Sequence, residues 1–204
     1  MKKLRWGLLS TARINRAVIP PIRSSLRSEL KAVASRDIVK AKEYAREWHI
    51  PHACGSYDEL LADDNIDVIY NPLPNHLHAE WSIRAAEAGK HVLCEKPMAL
   101  TVAEGAEIVR AARRCPDRVV MVDQNYRWRP HTQALRQAVR QGQIGRVTSI
   151  AYEFRQAITR PTTDAWRERM RHPYLHDMVV HHFDLLRAIT GLNCEEIFAV
   201  GVRP

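Results

Sequence analysis

Two short constellations in this chain carry side chains that can move protons. The first is Glu95-Lys96-Pro97, which follows the apolar run His91 to Cys94. A lysine just past the carboxyl end of a strand lies where open α/β sheets bind ligands. Partial burial beside other cations lowers an ammonium pKa towards values useful for acid–base work. A structural ion pair with Glu95 or another carboxylate is the alternative. The second constellation is Asp177-Met178-Val179-Val180-His181. Four residues apart on a helix, the carboxylate and imidazole share a face, and an acid–histidine pair placed so can act together. The alternative for this pair is a plain surface contact.

Two further sites have the chemistry of anion binding. Between the first apolar run and the first helical stretch stands Ser10-Thr11-Ala12-Arg13-Ile14-Asn15. A strand-to-helix turn at that place can hold a pyrophosphate on backbone amides and the helix dipole. The glycines of the usual Gly-x-Gly-x-x-Gly fingerprint are replaced, which leaves small residues at the first two positions and the Ser10 and Thr11 hydroxyls as donors. The second apolar run ends Ala34-Ser35-Arg36. An NAD-preferring domain usually presents an acid to the ribose diol here, whereas a hydroxyl and a guanidinium suit the 2′-phosphate of NADP. An exposed arginine without a ligand is the alternative for Arg36.

These residues need a scaffold, and the hydrophobic pattern supplies one. Short apolar runs alternate with amphipathic stretches through the first 124 residues, the signature of βαβ units. Strands are predicted at Leu4 to Leu9, Leu30 to Ala34, Val68 to Tyr70, His91 to Cys94 and Val119 to Val122. The helices between them are predicted at Arg13 to Leu26, Ile38 to Trp48, His76 to Ala88 and Val102 to Arg114. Asn75 and Thr101 are the expected N-caps and Gly89 the expected left-handed C-cap. A doubly wound α/β domain over residues 1–124 follows. From 125 the pattern changes to a helix near His131 to Gln141, a period-two strand from Val147 to Arg155, a helix from His176 to Thr190 closed by Gly191, and a strand from Glu195 to Val202. That is the start of an α+β domain with an open antiparallel sheet. Residues 125–204 hold part of a substrate and oligomerisation domain, and the chain is expected to be C-terminally truncated.

Composition bounds the partners. With 46% hydrophobic and 26% charged residues the chain is globular rather than disordered. The net charge of +8 is spread without long like-charge runs, which suits anionic small ligands and argues against nucleic acid. Cys54, Cys94, Cys115 and Cys194 lack a Cys-x-x-Cys pair and read as free thiols, and His172, His176, His181 and His182 lack a recognised zinc spacing, so no metal is expected. Arg155, Arg160, Arg167, Arg169 and Arg171 read as a solvated basic loop, with recognition of an anionic substrate as the alternative. With no signal core or membrane-length apolar run, a cytoplasmic location away from membranes is expected.

Tyr70 to His76, Glu95-Lys96-Pro97, Asn125-Tyr126-Arg127-Trp128 and Asp177 to Leu186 together resemble the Gfo/Idh/MocA family of oxidoreductases. The turn Trp6 to Asn15 is most similar to the branch with dimeric dihydrodiol dehydrogenase and xylose dehydrogenases. The resemblance implies a nicotinamide cofactor, here NADP with NAD as the alternative, and a sugar, polyol or related diol as substrate. It implies that Lys96 hydrogen-bonds the reacting carbinol oxygen, that His181 is the general base, and that Asp177 is its partner. Ser10, Thr11, Ala12, Arg13, Ile14, Ser35 and Arg36 would contact the dinucleotide. Asn71, Pro72, Leu73, Asn75 and His76 would line its nicotinamide side, with Glu95, Lys96 and Asn125 beside them. Pro97 would fix its turn. A homo-oligomer is expected of the full-length protein. An NAD-dependent glycoside hydrolase of the same family and a non-catalytic dinucleotide-sensing regulator are the alternative functions.

Overall fold

A computed structural model of the chain describes residues 2–155, 178–198 and 200. It divides into two compact units, residues 1–123 and 124–204. In the first unit the strands are β1 (Leu4–Leu9), β2 (Ser28–Ala34), β3 (His52–Cys54), β4 (Val68–Asn71), β5 (His91–Cys94) and β6 (Val120–Val122). The helices are α1 (Asn15–Ser24), α2 (Ile38–Glu47), α3 (Tyr57–Ala62), α4 (His78–Glu87) and α5 (Val102–Arg114). All strand pairs are parallel, in the order β3-β2-β1-β4-β5-β6.

Successive strand residues point to opposite faces, and each face is covered by its own helices. Leu8, Val33 and Tyr70 pack with Ile19 and Ile22 of α1 and Ala45 of α2. Their neighbours Leu9, Ala32, Ala34 and Ile69 pack with Leu60 of α3 and with Trp81 and Ala85 of α4. This double coverage explains why the central strands read as nearly continuous apolar runs. At Gly7 an added Cβ would lie 2.9 Å from Leu60 Cδ1 and 3.2 Å from Ile66 Cγ2, so the missing side chain lets α3 sit tight against β1.

The caps account for several boundaries. Thr101 and Glu104 form a reciprocal capping box on α5, while Gly89 (φ 76°) follows α4 and Gly191 (φ 73°) closes the last helix, as expected. Asn75 is not an N-cap. It opens a 3₁₀ turn, Asn75–Leu77, and α4 begins after Leu77 with no side-chain cap. The sheet also has one strand more than expected, because β3 spans three residues, too short for a period to show. The short α3 behind it is capped by Ser56, which accepts from the Glu59 amide.

The second unit contains a 3₁₀ turn, Asn125–Trp128, and helices α6 (Pro130–Arg140) and α7 (Val180–Thr190), which pack together. Pro130 starts α6, where its missing N–H removes no helical bond. The expected strand at 147–155 is absent. A strand needs a paired ladder, and no strand lies beside this segment among the described residues. Its alternation still places Tyr152 and Phe154 together, both against the His182 ring. Residues 195–198 and 200 likewise form no strand, while the rest of that expected strand lies outside the described residues, as do His176 and Asp177.

Filling the close approach at Gly7 is the most direct challenge to this packing. Gly7→Val is expected to destabilise the chain by about 1–3 kcal/mol through overpacking against Leu60 and Ile66. Urea unfolding followed by circular dichroism measures it, and an unchanged midpoint would contradict the contact.

Candidate active site

The order of strands reverses between β1 and β4, and in such sheets ligands bind outside the carboxyl ends at that switch point. The turn leaving β1 begins at Ser10, whose φ of 107° lies in the region that favours glycine. Two backbone links hold it there. The Ser10 amide donates to Ala34 O at 3.0 Å, and its carbonyl accepts from the fully buried Asn15 Nδ2 at 2.8 Å. Ser10 Oγ is buried without a hydrogen-bond partner. Thr11 and Ala12 are half-buried, Arg13 and Ile14 are exposed, and no side chain caps α1.

At the end of β2 the acid is already engaged. Asp37 caps α2, accepting from Val39 N at 2.9 Å, while buried Ser35 accepts from the Asp37 amide at 3.2 Å. Arg36 is exposed, and its positive charge acts on the Tyr57 phenol.

Strands β4 and β5 carry the rest of the crest. Asn71 is fully buried, its Nδ2 donates to Ser82 Oγ and His78 O, and its Oδ1 accepts from the Leu73 amide. Its side chain thus builds the loop. Pro72 and Leu73 are buried too, and His76 is exposed. Asn75 is 5% exposed, yet its Nδ2 has no hydrogen-bond partner.

Glu95 is held from two sides, by the Tyr70 phenol on Oε1 at 2.7 Å and by the Lys96 amide on Oε2 at 3.2 Å. The half-buried Lys96 side chain extends from this turn, and the Lys96-Pro97 peptide is cis. Asp123, just past β6, has its carboxyl pushed up to about 6, first by burial and then by the charge of Glu95. Tyr70 and Asp123, which join Lys96 and Glu95 at this end of the sheet, do not stand out in the sequence as candidates. Tyr70 opens the recognised stretch, but its pairing with Glu95 depends on the register of β4 on β5.

In the second unit His181 is 4% exposed and stacks on Tyr126, with ring centroids 4.2 Å apart and planes 8° from parallel. Arg129 lies over the Tyr126 ring at 3.6 Å. His181 Nδ1 lies 3.1 Å from Gln124 Oε1, an oxygen that can only accept, so this nitrogen donates. The expected partner Asp177 lies outside the described residues. Asp184, on the same helix, pairs through both oxygens with the Arg127 fork and raises the pKa of that arginine. Asn125 is exposed. No group of three His, Cys, Asp or Glu side chains among the described residues could hold a metal, and no helix among them is long and apolar enough to cross a membrane.

Comparison with known proteins gives this geometry its context. Residues 4–124 match the model of an oxidoreductase family with an NAD-binding Rossmann fold, and residues 132–204 match the GFO/IDH/MocA C-terminal domain. The chain belongs to the GFO/IDH/MocA oxidoreductase family. It is 41% identical over 154 residues to a D-xylose 1-dehydrogenase (NADP(+)) of Haloferax volcanii, covering 74% of this chain and 46% of that protein. It is 34% identical over 204 residues to a trans-1,2-dihydrobenzene-1,2-diol dehydrogenase of Sus scrofa, covering 98% and 60%. The resemblance to the xylose and dihydrodiol dehydrogenase branch is thus borne out. The crystal structure of an oxidoreductase domain protein from Kribbella flavida matches with a TM-score of 0.82 at 30% identity, over 94% of this chain and 55% of that one. The chain spans about 60% of the length of the Sus scrofa relative.

The Asp123 carboxyl provides a test of the acidic end of this crest. Its folded-state pKa lies above the ordinary carboxylate value, so the folded state binds the proton more tightly, and stability is lost as pH rises from about 4 through 6. Asp123→Asn is expected to raise the thermal midpoint at pH 8 more than at pH 4.5. Equal shifts at both pH values would contradict the assigned environment.

Proposed function

We propose that this chain belongs to an NADP(H)-preferring dehydrogenase or reductase that exchanges hydride with a secondary alcohol or carbonyl carbon of a sugar, polyol or related diol. The observation that carries this reading is the crest of the central strands. Ser10 Oγ follows β1 and Asn75 Nδ2 follows β4, both buried and without protein partners, and Lys96 follows the neighbouring β5. Buried polar atoms need partners, and the oxygen atoms of a dinucleotide supply acceptors for both. The uncapped start of α1 suits its pyrophosphate.

When bound, the nicotinamide supplies the two-electron chemistry. The chain's own residues bind, orient and move the proton. Exposed Arg36 offers a fork to a 2′-phosphate, and the neighbouring Asp37 is turned into the α2 cap, away from the role of an acid that would select the NAD ribose. The Lys96 ammonium hydrogen-bonds the carbinol or carbonyl oxygen and stabilises negative charge as it develops there. His181 serves as the general base: Gln124 fixes the proton on Nδ1, the stack on Tyr126 fixes the ring plane, and Nε2 accepts the hydroxyl proton. Asp177 is assigned as the residue that orients the substrate or this ring. A small-molecule substrate and a homo-oligomer complete the reading.

Two tests separate its parts. Lys96→Met and His181→Asn are each expected to lower kcat about 100-fold or more against a panel of aldoses, polyols and diols, with NADPH affinity changed little. Retention of full kcat in either variant would overturn that residue's role. Arg36→Asp is expected to weaken NADPH at least about tenfold, the loss of a charge-assisted pair, and to leave NADH nearly unchanged in a fluorescence titration. Equal weakening of both cofactors would contradict the 2′-phosphate contact.

A further inference from the structure

The first residue of α4 occupies an unusual electrostatic position. His78 is 1% exposed, and both ring nitrogens face backbone carbonyl oxygens: Nδ1 is 2.6 Å from Pro97 O, and Nε2 is 2.6 Å from Leu73 O. A carbonyl can only accept. A neutral imidazole carries one N–H and one lone pair, so it satisfies one carbonyl and sets its lone pair against the other. The imidazolium carries two N–H groups and satisfies both.

The two carbonyls belong to the two loops that matter most. Leu73 lies in the loop that leaves β4 and leads to Asn75, and Pro97 follows Lys96 in the turn that leaves β5. Asn71 Nδ2 donates to the His78 carbonyl at 3.3 Å and so fixes the start of α4 from below the same loop. The ring is therefore a crosspiece between the loop of the unpartnered Asn75 amide and the turn of the lysine.

We propose that His78 is a positioning residue for the Lys96 turn, a two-way tie to the loop after β4 that is complete only when the ring is an imidazolium. The proposal rests on the reading of Lys96 as the group that meets the substrate oxygen. Among the described residues two charged side chains act on the ring, both from the turn after β5: Glu95 favours the cation and Lys96 opposes it. The helix dipole at the start of α4 also opposes the cation, and the carbonyls of Leu73 and Pro97 favour it. Burial outweighs these and lowers the ring's pKa below the ordinary histidine value. The tie is thus complete on the acid side of that lowered value and keeps one of its two bonds on the alkaline side.

The test combines nitrogen-15 NMR of the wild-type chain, labelled at histidine rings and backbone amides, with kinetics of His78→Gln. Between pH 4.5 and 8 the His78 ring is expected to lose one proton, and the amides near Leu73 and Pro97 should shift with the same midpoint. In His78→Gln, which keeps a single donor nitrogen and does not titrate, that shared transition disappears and kcat falls about tenfold, with KM for NADPH changed less than about twofold. A ring that stays neutral throughout, or titrates without moving both sets of amides, overturns the tie. A shared transition with unchanged kcat in His78→Gln overturns the positioning role. The NMR arm needs no turnover, so it decides the tie separately from the role assigned to Lys96.

Discussion

The pairing of β1 with both β2 and β4 is the constraint on which the crest of the sheet depends. Leu9 pairs with Ala34 on one side and Leu8 with Tyr70 on the other, so the three chains leave the sheet at nearly the same height. A register slip of one residue would turn Leu8 and Leu9 to the wrong faces and exchange the two apolar layers. With the register fixed, Ser10, Ser35 and Asn71 emerge side by side, and β5 adds Glu95 next to Asn71 through the Asn71–Cys94 pairing. The chemistry of the crest thus follows from burial on two faces several ångströms below it.

Above the sheet, local hydrogen bonds do what glycine and rigid loops do in simpler turns. Asn15 holds Ser10 in its glycine-like conformation, and Tyr70 with the Lys96 amide fixes both oxygens of Glu95. These bonds lie in a partly dry environment, where a charge-assisted contact is stronger than in water. The same dryness raises the Asp123 carboxyl beside Glu95. Lys96 extends from a turn whose backbone is constrained by the strand register, by Glu95 and by the carbonyl of Pro97 meeting His78.

Much of this was legible in the sequence, for identifiable physical reasons. The apolar runs of β1, β4 and β5 mark strands buried on both faces, and Thr101 with Glu104 marks the start of α5 through a capping pattern with a direct mechanism. Lys96 stood out because of its place after a strand. Strand β3 did not, since three residues at a sheet edge leave no period to read. Nor was the true place of Asn75 legible: its type suggests a cap, but the 3₁₀ turn that displaces the helix start is a matter of loop packing. The Tyr70–Glu95 and His181–Gln124 contacts join residues 25 and 57 positions apart, and a pattern of neighbours does not encode such pairs. At 147–155 the alternation was real, as Tyr152 and Phe154 against His182 attest, but no paired ladder turned it into a strand.

A groove of about 720 Å³ elsewhere on the first unit, lined by Lys42, Arg46, His49, His52 and Glu59 among others, contains none of the crest residues, so the crest and the groove are separable places for an anionic ligand. The measurement that tests the account most directly is therefore a titration of the nitrogen-15-labelled chain with NADPH, followed by amide shift mapping. Saturable changes centred on Ser10 to Ile14, Ser35 to Arg36 and Leu73 to His76 are the result the account predicts. Changes centred on residues 42–63, or no saturable binding, would contradict a cofactor site at the switch point of the sheet.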